Sequence, residues 1–367
     1  MKSVFSFLLL YLSLCESSPS LGCGSMLPSE PVIGQNHRFS VEVEDPHVGT
    51  SLREYILHLP ASYDASNDQP VPLMMDFHGW TGSAADQMDW GAWTEVADTD
   101  ETGFIYVAME GMNDVENGGS FGSWNVSRSD GPLGPPCEVG LHTGYPIYKS
   151  CGTYEDVDKT CDWTSCYDDV TFVQVALYQI TSMFCVDLNS IHMSGMSNGG
   201  MFMYSRVLES LSAAVASVGP VSGSPLRGFN PMPDTPVNII DFHGLHDEVI
   251  PYSPEQANNL GAGPDGTTEA NDGWYYLIKL DHLKAIMASM NCNPQPRLYP
   301  THMDGNNGWA CNLWDGCDNG KEVVHCHGNY HHEYPFHHKY VEGIKILWNF
   351  MKTHSKISRI GKYESLY

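Results

Sequence analysis

The apolar residues of this chain fall in short blocks, and that spacing constrains its fold more than any other feature. EYILHL (54–59), LMMDF (73–77), FIYVAM (104–109), SIHMS (190–194), AVASV (214–218), VNIIDF (237–242) and EVVHCH (322–327) are each about one strand long. Several are apolar on successive residues. Neighbouring side chains of a strand point to opposite faces, so such a run belongs to a strand covered on both sides. Between the blocks the period becomes helical: Val173, Ala176, Leu177, Ile180 and Phe184 recur at i, i+3, i+4 spacing, as do Tyr340, Ile344, Leu347, Trp348 and Met351. Strands alternating with helices predict an α/β fold with a mostly parallel central sheet flanked by helices. At 367 residues, 42% hydrophobic and 17% charged, the chain can fill such a core.

Residues 1–15, MKSVFSFLLLYLSLC, carry one lysine and then an apolar run shorter than the roughly 20 residues a membrane helix needs. They are expected to be a cleaved signal peptide, with Ser13 and Cys15 as the small residues at the cut. Residues 16–367 are then expected to be one soluble, extracellular catalytic domain. Ten cysteines remain beyond Cys15: Cys23, Cys137, Cys151, Cys161, Cys166, Cys185, Cys292, Cys311, Cys317 and Cys326. An even set in an exported chain predicts five disulfides, their pairing open. A metal site would have to draw on Cys311, Cys317, Cys326 and His327, which lack the close paired spacing of zinc ligands. Lys and Arg number 18 against 44 Asp and Glu, a net charge of −26 that repels nucleic acid and anionic membranes, so neither is expected as a partner. Asn125 opens the sequon NVS, a candidate glycan site. Residues 113–168 break the strand–helix rhythm, being rich in Gly, Pro and Cys; this Cys-rich insertion is expected to form a rigid lid or wall.

The chemistry centres on HMSGMSNGGM (192–201). SIHMS reads as a strand, NGGMFMYSRVLESL as a helix, and Gly195-Met196-Ser197-Asn198-Gly199 between them matches G-x-S-x-G, the nucleophile elbow. A turn this tight forces Ser197 into a strained backbone and leaves its flanks no room for a Cβ. The N–H of Asn198, opening the helix, is a candidate oxyanion donor. A second donor is expected after LMMDF, where Gly79 permits close approach and Trp80 offers its N–H. In an elbow hydrolase an acid and then a histidine follow the serine. Asp247, in HGLHDEVIPY after the strand VNIIDF, is the candidate acid. HCHGNYHHEYPFHH (325–338) offers six histidines, and the residues alone do not choose among them. HEYPF is not H-E-x-x-H, and Pro335 would break the helix that zinc motif needs.

Together HGWTGSA, GMSNGGMFMY, HGLHDEVIPY and HHEYP resemble, in order and approximate spacing, the secreted feruloyl esterases, acetylxylan esterases and polyhydroxybutyrate depolymerases, a branch of the α/β-hydrolases. The resemblance implies an α/β-hydrolase fold, Ser197 as nucleophile and Asp247 as acid. The family's histidine lies in G-H-x-W-P, matched by His332-Glu333-Tyr334-Pro335 with Tyr for Trp, which selects His332 and leaves His331 second. Trp80 departs from the family's common H-G-C, keeping a backbone donor but not a disulfide there. SWNVS and CDWTSCYDDVTFV are similar to further family stretches; Asp168 and Asp169 in the latter are read as acids opening a helix, not as a glycosidase pair.

The expectation is an extracellular serine esterase acting on feruloyl or acetyl esters of cell-wall polysaccharides, with no cofactor and no metal. A polyester depolymerase is the alternative within the class. An inactive polysaccharide-binding protein using the same cleft is the alternative outside it. Trp80, Trp124 and Trp163 are candidate cleft aromatics. A histidine base predicts activity that falls below about pH 6. Oligomeric state is left open.

Overall fold

The computed structural model describes residues 17–27, 31–46, 48–90, 92–115, 119–126, 148–153, 164–229, 231–255, 262–263, 266–271, 274–300, 309–333 and 341–356. The expected signal peptide, Cys137, Cys161 and Trp163 lie outside them. In chain order, β1 (Asn36–Asp45) and β2 (Gly49–His58) are followed by β3 (Val71–Phe77), α1 (Ala84–Trp90), α2 (Trp93–Thr99) and β4 (Ile105–Met109). Beyond the insertion come α3 (Asp169–Met183), β5 (Val186–Met196), α4 (Asn198–Phe202), β6 (Ser217–Val221) and β7 (Asn238–Gly244). A small hairpin of β8 (Thr267–Glu269) and β9 (Tyr275–Leu277) precedes α5 (Lys279–Ser289). Last are β10 (Arg297–Leu298), β11 (Trp309–Trp314), β12 (Val323–Gly328) and α6 (Val341–Met351).

A ten-stranded sheet runs β1-β2-β4-β3-β5-β6-β7-β12-β11-β10. From β4 through β12 every neighbouring pair is parallel, and antiparallel pairs flank that centre on both sides. This is the α/β-hydrolase arrangement. The unbroken apolar blocks are explained by burial on two faces. Leu73, Met75 and Phe77 of β3 join one core with Phe172 and Val173 of α3 and Ile286 of α5. Met74, between them, points into a second core with Trp93 of α2 and Leu347 and Trp348 of α6. Neighbouring side chains thus enter opposite layers, so both positions have to be apolar.

All seven apolar blocks fall on strands, with shifted ends: β5 starts earlier than SIHMS, and β6 starts at Ser217 because Ser212–Ala214 forms a 3-10 turn. The helix after Ser197 is α4 continued by a π-helical stretch, Met203–Leu211. The block pattern passed over β1, whose buried Val41 and Val43 alternate with exposed residues as an outer strand does. Asp168 caps α3 by accepting from the Thr171 N–H at 3.0 Å. Asp169 binds Arg53 at 2.6 Å, both side chains all but fully buried, so this acidic pair serves the helix and the core.

Four disulfides are present among the described residues: Cys23–Cys185, Cys151–Cys166, Cys292–Cys317 and Cys311–Cys326. They consume the cysteines a metal site would have needed. Asn125 is only 2% exposed and its Nδ2 donates to the Tyr167 carbonyl at 2.9 Å, a setting with no room for a glycan. Among the described residues no helix is long and apolar enough to cross a membrane.

Candidate active site

The strand β5 ends at Met196 and α4 begins at Asn198, so a single residue, Ser197, turns the chain between them. Its φ of 55° and ψ of −118° lie where few L-residues go. The glycines around it are enforced by close approach. A Cβ on Gly195 would stand 2.6 Å from the Gly199 backbone, and one on Gly199 would run into the Phe77 carbonyl. One on Gly200 would stand 2.6 Å from the Val221 carbonyl. Hydrogen bonds hold the turn at both ends, Ser197 N–H to the Val221 carbonyl and Met201 N–H to the Ser197 carbonyl, each at 2.8 Å.

Tertiary structure brings the histidine and the acid to this serine. His332 lies beyond the end of β12, and its Nε2 is 2.8 Å from Ser197 Oγ. Its Nδ1 is 2.8 Å from Asp247 Oδ2. Asp247 follows β7 and is fully buried, and its Oδ1 accepts the N–H groups of Val249 (3.0 Å) and Ile250 (2.8 Å). Burial alone would raise the carboxyl, but His332 and His243 outweigh it and hold it well below the usual carboxylate range. The acid is thus a fixed anion facing the inner nitrogen of His332. His331, the second choice, is turned away: it is exposed, with Nδ1 3.8 Å from Glu248 Oε1. Tyr334, Pro335, His337 and His338 lie outside the described residues.

The loop after β3 lies against the serine, a Cβ built on Gly79 falling 3.2 Å from Ser197 Cβ. The candidate donors Trp80 and Asn198 therefore flank Ser197, one on that loop and one on the turn itself. Trp80 stacks on Phe121 at 5.7 Å between ring centroids, and its Nε1 donates to Tyr148 Oη at 2.8 Å. Trp124 is not a cleft aromatic: it is fully buried among Phe77, His78 and Phe202, and its Nε1 donates to the His78 carbonyl at 2.9 Å. Among the described residues no group of three or more His, Cys, Asp and Glu is placed to hold a metal ion.

Two curated relatives are feruloyl esterases by name. Feruloyl esterase B of Piromyces equi is 25% identical over 308 residues, 83% of this chain and 45% of that protein. The probable feruloyl esterase C of Aspergillus niger is 25% identical over 271 residues, 72% of this chain and 71% of that protein. The chain is similar in sequence to these two feruloyl esterases. It spans less than half the length of the Piromyces relative. No family model matches it. Among solved structures, the acetyl xylan esterase from Aspergillus awamori superposes with a TM-score of 0.49 at 10% identity, over 86% of this chain and 99% of that one.

One further residue, His78, shapes the site and escaped the sequence reading, as did the side-chain role of Asn198. His78 accepts the Gly111 N–H at Nε2 (2.8 Å), so its proton sits on Nδ1, which donates to the Gly79 carbonyl (2.7 Å). That bond fixes the peptide leading into Trp80. Burial pushes His78 down to about 4 and keeps the ring neutral. The side chain of Asn198 accepts the Trp124 N–H at 2.7 Å, tying the insertion to the elbow. His78 stands beside Gly79 in HGWTGSA, but nothing in that string shows which carbonyl the ring will hold.

Proposed function

We propose that this protein is an exported serine esterase that hydrolyses carboxylic esters, feruloyl or acetyl groups on cell-wall polysaccharides, through an acyl-enzyme. The observation that carries this reading is the unbroken chain from Ser197 Oγ through His332 to buried Asp247, with both links 2.8 Å. Nothing in mere polysaccharide binding requires it. The relatives' names support the acyl class, and the disulfides support an oxidising compartment.

In the reaction, Ser197 Oγ gives its proton to His332 Nε2 as it attacks the ester carbonyl carbon. The C=O π pair moves onto oxygen, where the N–H groups of Trp80 and Asn198 stabilise it. Asp247 keeps the His332 proton on Nδ1 and balances the imidazolium that forms. Collapse breaks the C–O bond, and the alcohol leaves with the proton from Nε2. Water, deprotonated by His332, then attacks the acyl-enzyme; the acid departs and Ser197 recovers its proton.

The test is hydrolysis of methyl ferulate, an acetylated xylan and a hydroxybutyrate oligomer by the wild type and Ser197→Ala. Cleavage of at least one substrate by the wild type alone is the expected result, and the substrate cleaved names the acyl preference. Equal cleavage by both proteins would remove Ser197 from the mechanism. No cleavage by either would leave the cleft as a binding site.

A further inference from the structure

We infer that His243 is a positioning residue for the acid of the triad, clamping the turn that carries Asp247 and, through it, orienting His332; this rests on the serine-esterase reading above. His243 is the last residue but one of β7 and is fully buried. Its Nε2 lies 2.8 Å from the carbonyl oxygen of Ile250, which can only accept, so the ring proton is on Nε2. The same nitrogen stands 3.3 Å from Asp247 Oδ2, the oxygen that meets His332. Nδ1 is buried without a hydrogen-bond partner, as expected of the lone pair of a neutral ring.

One N–H therefore faces both ends of the Asp247–Ile250 turn. Asp247 binds the N–H groups of Val249 and Ile250 from inside the turn, and His243 closes it from the strand side. Without His243, the Ile250 carbonyl would be a buried acceptor with no donor from this ring, and Asp247 Oδ2 would have His332 as its remaining listener for charge. The groups facing the ring are Asp247 on its own loop, Asp241 on its own strand, Lys279 at the start of α5 and Tyr252, whose ring centroid is 5.8 Å away; His327 is its register partner on β12. Burial, with Lys279 next, lowers the ring's proton affinity, while Asp247 and Asp241 oppose them.

Two polar substitutions separate positioning from bulk. His243→Gln can present an N–H near the place of Nε2, whereas the amide of His243→Asn ends near Nδ1, where the structure has no acceptor. In folded His243→Asn, checked by circular dichroism, kcat for the ester found above is expected to fall about 10- to 100-fold with KM little changed. The acid limb of its rate–pH profile, read also as labelling of Ser197 by a fluorophosphonate, is expected to move to higher pH, because Asp247 then holds the imidazolium more tightly. His243→Gln is expected to restore kcat to near the wild-type value. If His243→Asn does not fold, His243→Phe, which keeps the ring volume, replaces it. Equal kcat in the Asn and Gln variants, wild-type kcat in the Asn variant, or a loss of kcat with an unmoved acid limb would each overturn the inference. A wild type that neither cleaves esters nor labels on Ser197 overturns the esterase reading, and this inference with it.

Discussion

Gly199 shows how little latitude the turn at Ser197 has. A methyl group at that position would meet the Phe77 carbonyl of β3, which is bonded into the sheet and cannot withdraw as a flexible side chain would. Gly199→Ala is therefore expected to cost about 1–3 kcal/mol of stability, read by denaturant unfolding, and to lower activity further by displacing Ser197. Asp247→Asn tests a different property of the site, since it keeps the shape and removes the charge. An amide at this position favours the wrong tautomer of His332, so kcat is expected to fall about 10⁴-fold, and the melting temperature is expected to drop because the amide NH2 faces a buried N–H where the carboxylate accepted one. Gly195, Ser197 and Gly199 were legible because a strand, a tight turn and a helix in succession leave a local signature. His332 was not legible from its own surroundings. Six histidines share one stretch, and only the fold decides which one reaches Ser197 Oγ.

Among the elements, α3 is anchored by a charge that its sequence disguises. Asp169 lies in its first turn, where acids are common, yet its carboxylate is fully buried on Arg53, and it also accepts the Asn125 N–H at 2.6 Å. The Arg53 guanidinium packs over the Phe172 ring of the same helix at 4.1 Å. The pair therefore joins β2, the insertion and α3 in one contact. Removing one partner of a buried pair strands the other, so Asp169→Leu is expected to cost about 3–5 kcal/mol in equilibrium unfolding. An Arg53→Met, Asp169→Leu double variant is expected to recover part of that loss, because no charge is then left buried alone. The helix itself was readable from its periodicity and its capping acid. The partner was not, because Arg53 lies 116 residues away in sequence.

Over the whole molecule, buried histidines set the response to acid. Burial lowers His78 to about 4 and His192 and His282 to about 3. In the unfolded chain each would take a proton near its ordinary value of about 6.5. Between that value and the folded one, the unfolded state binds more protons, so stability is full above about pH 6.5 and declines as pH falls toward 4. Each ring contributes about 1 kcal/mol per pH unit across its window. The expected outcome is a melting temperature that drops steadily from pH 7 to pH 4, with His192→Asn flattening the slope. Asp241 works differently. Burial alone would raise it, but Lys279 and His325 outweigh that and hold it ionised, so its contribution is full above the ordinary carboxylate range and is lost progressively as pH falls from there toward its much lower folded value.

The sequence by itself determined what depends on neighbours along the chain. Successive apolar residues in 73–77 and 104–109 required strands covered on two faces, and three glycines around one serine required the elbow. Tertiary structure decided what depends on residues far apart meeting. It took Trp124 into the core and paired Cys311 with Cys326 across β11 and β12. It also chose His332 over His331 and set His243 against the turn of Asp247. The reason is the range of the interactions. Backbone strain and side-chain periodicity act over a few residues, so a string records them, whereas a hydrogen bond across 135 residues exists only once the sheet has brought its ends together.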